Sequence, residues 1–183
     1  FFCCSAIFSI FIPIAIGINL QYSITFGIVN NSKPELKTTL LNNIFVWRVI
    51  RWPVIFVVIL WIIEGLTVLT GIRMVWLGVI PRTISGFPGI FFSPFIHGNY
   101  EHLLSNTLPL LVVGSGLVYF YRDIAGRVLG MIWLFTGFWV WLAARKEAHI
   151  GASGLIYGLV CFLFLSGILR KDTRLLAVSL LVT

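Results

Sequence analysis

The sequence predicts an all-α fold, a polytopic bundle of membrane-spanning helices, and three observations carry that prediction. Of 183 residues, 59% are hydrophobic and only 10% charged, and the mean hydropathy is +1.02. That is more apolar surface than a single water-soluble core of this length can hide. The apolar residues fall in runs long enough to cross a bilayer, and the connections between the later runs are short and basic. The lipid bilayer is therefore the first partner. A net charge of +7 would suit nucleic acid, but the basic residues sit in short clusters between apolar runs, where they act as topology signals, so nucleic-acid binding is excluded. Cys3, Cys4 and Cys161 have neither metal-ligand spacing nor the pattern of a disulfide framework.

In chain order, Phe1 to Ile18 is apolar and interrupted by Pro13, and a more polar stretch follows from Asn19 to Thr25. Segment 1–29 reads as a spanning helix, an uncleaved signal or upstream sequence outside the functional protein. Both ends read as cut, because the first methionine is Met74 and the last run, from Leu175, is about half a span long. Segment 30–52, with Lys33, Pro34, Glu35, Lys37, Arg48 and Arg51, reads as a polar and basic cytoplasmic linker. Residues 53–183 form the membrane core. Its first span runs from Pro53 to Ile72, with the proline in the first turn and Glu64 near the far end, where it can snorkel or pair with a neighbouring helix. Arg73 to Phe95 contains Pro81, Pro88 and Pro94 among several glycines, which forbid one continuous helix. Its aromatic residues are too many for a solvated loop, so it is expected to lie partly sunk in the interface. Leu103 to Tyr121, Val128 to Ala144 and Ile150 to Leu169 are the next three spans, and a fifth begins at Leu175. Gly114 and Gly116 mark bending or close packing in the second, and Gly126 and Gly130 read as packing positions at the head of the third.

Short connections force these spans to alternate in direction. With segment 30–52 on the cytoplasmic side, that side holds nine basic residues (Lys33, Lys37, Arg48, Arg51, Arg122, Arg127, Arg170, Lys171 and Arg174). The other side holds four (Arg73, Arg82, Arg145 and Lys146), which agrees with the positive-inside rule. The long loop then lies toward the exterior face, and the expected location is the cell membrane.

Two polar stretches share that face. Gly151-Ala152-Ser153-Gly154 opens the fourth span, and its small neighbours leave the Ser153 hydroxyl accessible. His97 to Asn106 leads into the second span, where His102 and Asn106, four apart, share a helix face. Although 51 positions separate His102 from Ser153, both lie at similar depth. Taken singly, Ser153 is most simply a helix-crossing residue, and His102 or Asn106 an interhelical hydrogen-bonding group. Together, and at matching depth, they read as a nucleophile beside two oxyanion donors. His149 precedes Ser153 by four, but Gly151 interrupts any regular helix between them.

His97-x4-His102-x3-Asn106 and Gly151-x-Ser153, preceded by the long loop, resemble the rhomboid intramembrane serine proteases, over about Pro53 to the chain end. The resemblance implies a six-helix bundle with a Ser-His dyad below the outer membrane surface. It makes Ser153 the nucleophile, puts His102 and Asn106 at the oxyanion, has His97 brace the loop, and matches Tyr157 to the aromatic residue beside the general-base histidine. That histidine belongs to a sixth helix outside these 183 residues, and none of His97, His102 or His149 matches it. The fragment alone is therefore expected to be inactive. The family's Trp-Arg loop pair is also absent, Trp76 and Arg82 standing apart. The implied reaction is hydrolysis of a peptide bond in or near a transmembrane helix of another membrane protein, with no metal or cofactor. Two rivals from other classes are a non-catalytic rhomboid-like protein that binds transmembrane helices, and a small transporter or channel lined by Glu64, His102 and Asn106.

Overall fold

A computed structural model describes residues 38–182 together with Gly17, with side chains from Val46 onward. The apolar segment 1–29, apart from Gly17, lies outside the described residues, as do Cys3, Cys4 and the first part of the expected linker. The described residues form an all-helical bundle with one isolated β-bridge.

Six α-helices follow in order: α1 (Thr38–Thr70), the short α2 (Gly89–Phe92), α3 (Tyr100–Phe120), α4 (Ala125–Ala143), α5 (Ser153–Arg170) and α6 (Thr173–Leu180). Four of them have the length and composition of membrane spans: Val46–Thr70 within α1, then α3, α4 and α5. At 1.5 Å per residue, the 21 residues of α3 reach about 32 Å, enough for a bilayer core of about 30 Å. The α5 span is 56% buried and the other three 22–33%, so α5 is the central helix: α3, α4 and α6 pack on it, and α1 packs on α3. Leu159, Phe162 and Leu163 of α5 meet Leu117 and Tyr121 of the α3 end and Ile132 of α4 in the core.

The first span departs from expectation. Helix α1 begins at Thr38, so residues 38–52 are helical rather than a linker, and Pro53 lies inside the helix instead of in its first turn. A proline is tolerated inside a membrane helix when neighbouring helices support the backbone it interrupts. Here a methyl on Gly114 would lie 3.2–3.3 Å from the Pro53 ring, so the bare glycine makes the crossing of α1 and α3 possible. Gly116 is tighter still, since a methyl there would lie 2.8 Å from Val178 Cγ1 of α6. Gly126 and Gly130 contradict their packing assignment, because a methyl on either would meet nothing within 4 Å. Packing of α4 on α5 depends instead on Gly158, where a methyl would come 2.5 Å from Ile132 Cγ2.

The stretch between α1 and α3 is not one helix. It contains 3₁₀ turns at Val75–Leu77 and Ser93–Phe95 with α2 between them. It leans on α4: Trp141 Nε1 donates to the Thr83 carbonyl (2.8 Å), Trp133 Nε1 to Ile90 (3.1 Å), and the Arg82 guanidinium to Ala144 (3.1 Å). Trp76, Ile84, Phe87, Phe91 and Phe92 remain exposed, which suits a segment resting in the membrane interface.

Candidate active site

Ser153 is the first residue of central helix α5 and is half-buried. Chain geometry just before it is set from both sides by the α1–α3 loop. Val79 and His149 exchange both backbone hydrogen bonds at 2.9 Å, and the Gly151 amide donates to the Ser93 carbonyl at 2.9 Å. Gly151 adopts φ +104°, where a side chain would be strained. Helix α5 begins at Ser153, three residues into the span expected from Ile150 and just past the interruption expected at Gly151.

From the other side, α3 delivers the two polar residues. Asn99 caps that helix, its Oδ1 accepting from the His102 amide at 2.8 Å, which fixes the first turn on which His102 stands. Asn106 follows one turn later and is buried. A methyl on Gly151 would lie 2.6 Å from His102 Cε1, 2.8 Å from His102 Nε2 and 3.7 Å from Asn106 Nδ2. The imidazole and the amide thus converge on the backbone two residues before Ser153. Asn106 Nδ2 is buried with no hydrogen-bond partner among the described residues, and a buried donor left unpaired costs about 1–3 kcal/mol.

His97 packs edge-on against His102, with ring centroids 5.2 Å apart. It is buried and neither ring nitrogen has a hydrogen-bond partner among the described residues. Burial, aided by the neighbouring His102, lowers its pKa to about 4, and the Phe95 carbonyl, outside hydrogen-bonding geometry, offsets only part of this. His97 is therefore neutral at physiological pH.

The remaining expected residues divide clearly. His149 stays in the loop, its Nε2 in contact with the Arg145 carbonyl at 3.0 Å and its backbone in the bridge to Val79. Tyr157, one turn after Ser153, is exposed. Glu64 is buried on the α1 face that carries Val57 and Leu60, and does not snorkel. The backbone clamps at Val79 and Ser93 could not be anticipated, because a carbonyl or amide contact leaves no mark in the residue types.

Residues 85–182 match the family model of the Rhomboid domain, so the match includes His97, His102, Asn106, Gly151 and Ser153. Uncharacterized proteins of Mycobacterium tuberculosis and Mycobacterium bovis are 33% identical over 138 residues, covering 69% of this chain and 55% of theirs. One from Mycobacterium leprae is 33% identical over 160 residues, covering 74% of this chain and 56% of its own. The chain spans about half the length of these curated relatives. No solved structure matches at the same level of significance. The helical bundle, the loop folded against α4 and the approach to α5, and the match over more than half of the sequence agree: the chain belongs to the rhomboid family.

Proposed function

We propose that the full-length protein is an intramembrane serine protease that hydrolyses a peptide bond in or near the transmembrane segment of another membrane protein. The observation that carries this reading is the convergence of the His102 ring and the unpartnered Asn106 amide on Gly151, two residues before Ser153. Ser153 Oγ attacks the scissile carbonyl carbon as a general base takes its proton. The carbonyl oxygen becomes an oxyanion held by His102, Asn106 and the Ser153 amide, a type of contact worth about 100-fold or more in rate per donor. Collapse expels the amine, which takes up the proton, and water then repeats the cycle on the acyl-enzyme. The base would come from chain outside these residues, as the resemblance implies, since His149 is engaged in the loop and His97 and His102 stand on the oxyanion side. A substrate must present extended backbone, so helices that unwind readily near their ends are favoured.

The test compares full-length wild type with Ser153→Ala in proteoliposomes containing a transmembrane substrate. Cleavage by the wild type should vanish in the variant at unchanged thermal stability. Retained cleavage would falsify the assignment. If the wild type does not cleave but cross-links to the transmembrane segment, the non-catalytic helix-binding reading replaces it.

A further inference from the structure

A cavity lies away from Ser153, at the arginine-bearing end of the bundle. It has a volume of about 610 Å³ and is walled by α1, α3, α4 and α5. Phe56, Leu117, Leu129 and Leu159 contribute apolar surface, while Arg48, Arg51 and Arg122 lie at one end. These arginines come from two directions: Arg48 and Arg51 from the early part of α1, and Arg122 from the turn after α3. Among the described residues none of the three makes an ion pair; Arg51 stacks on the Trp52 ring at 5.1 Å. Trp47 and Trp52 are exposed beside them, and exposed tryptophans mark the headgroup level of a bilayer. The cavity is thus apolar along its walls, with three arginines at one end.

A water-soluble anion would leave the apolar walls unsatisfied, and a neutral lipid would leave the arginines without a counter-charge. We infer that this cavity binds one anionic phospholipid, an acyl chain lying between Phe56 and Leu159 and the phosphate meeting Arg48, Arg51 and Arg122. Guanidinium groups pair with phosphate oxygens in a fixed fork geometry, and basic pockets between membrane helices select acidic headgroups. Because Leu155 and Leu159 of α5 line the cavity, the lipid touches the helix that begins at Ser153.

The test uses full-length protein in neutral detergent and native mass spectrometry, titrating dioleoylphosphatidylglycerol against dioleoylphosphatidylcholine. Wild type should retain one phosphatidylglycerol with at least about tenfold preference, and the combined variant Arg48→Gln, Arg51→Gln, Arg122→Gln should lose that preference. Gly126 supplies an independent probe, because it lines the cavity and has open space where a side chain would go. Gly126→Leu should fill the cavity and weaken retention of both lipids without disturbing the helices. Equal retention of the two lipids by wild type would overturn the inference, whether the cavity is filled by another part of the chain or not selective. So would a preference that survives the triple variant, or retention untouched by Gly126→Leu. Suppression of retention by glycerol 3-phosphate alone would mark a simple phosphate site and also overturn it.

Discussion

Gly151 shows how one residue can set a site without supplying chemistry. Its φ of +104° turns the chain so that α5 starts at Ser153, and its missing side chain leaves the space that the His102 ring occupies. The approach of His102 and Asn106 to the stretch before Ser153 was legible in the sequence, because both stretches head spans at the same face. The sequence also marked Gly151 as an interruption, but not as the surface against which His102 packs. His97 leads to a measurable consequence. Its folded pKa is about 4 against about 6.5 when unfolded, so between those values the unfolded chain binds a proton that the folded one refuses. The benefit of burying neutral His97 is complete above pH 6.5 and is lost as pH falls through 4, by up to ~3 kcal/mol. Denaturation of wild type and His97→Phe should therefore diverge between pH 6.5 and 5, the wild type losing stability more steeply. Parallel profiles would show that His97 does not titrate this way.

At the scale of elements, the α1–α3 loop connects the site to the rest of the fold. Its proline and glycine content excluded a single helix, and the structure has 3₁₀ turns and one short helix there, so that much of its character was readable. Its function as a clamp was not, because the hydrogen bonds from Val79 to His149 and from Ser93 to Gly151 are made by backbone. Pro53 failed for a related reason: a first-turn proline and one seated against a glycine of another helix look the same in sequence. Gly89 tests the clamp. A methyl there would run into the backbone of Gly78 and Val79, with no flexible side chain to yield. Gly89→Ala should push the loop off and break the pairing of Val79 with His149. Amide exchange at those two residues should rise by an order of magnitude or more, since the opening energy falls by at least about 1.4 kcal/mol, while α3 and α4 stay protected. Unchanged exchange at Val79 and His149 would show that the loop is held elsewhere.

For the whole molecule, the legible quantity was the alternation of spans. Apolar runs joined by connections of only a few residues force α3, α4 and α5 to alternate, and the helices at Tyr100–Phe120, Ala125–Ala143 and Ser153–Arg170 differ from the expected runs by only a few residues at their ends. Which end faces the cytoplasm depends on charge. The Ser153 end shares its side with Arg73, Arg82, Arg145 and Lys146, whereas the other end carries Arg48, Arg51, Arg122, Arg127, Arg170, Lys171 and Arg174 among the described residues. Short basic loops resist translocation, so the second group should stay cytoplasmic and Ser153 should face the exterior. Single-cysteine labelling with a membrane-impermeant maleimide, in a full-length background freed of native cysteines, separates the two orientations. Cysteines replacing Lys146 or Glu147 should label in intact cells, and those replacing Asp123 or Lys171 only after permeabilisation. The reverse pattern would put the candidate site on the cytoplasmic face, and the arginine-lined cavity would then draw its lipid from the outer leaflet.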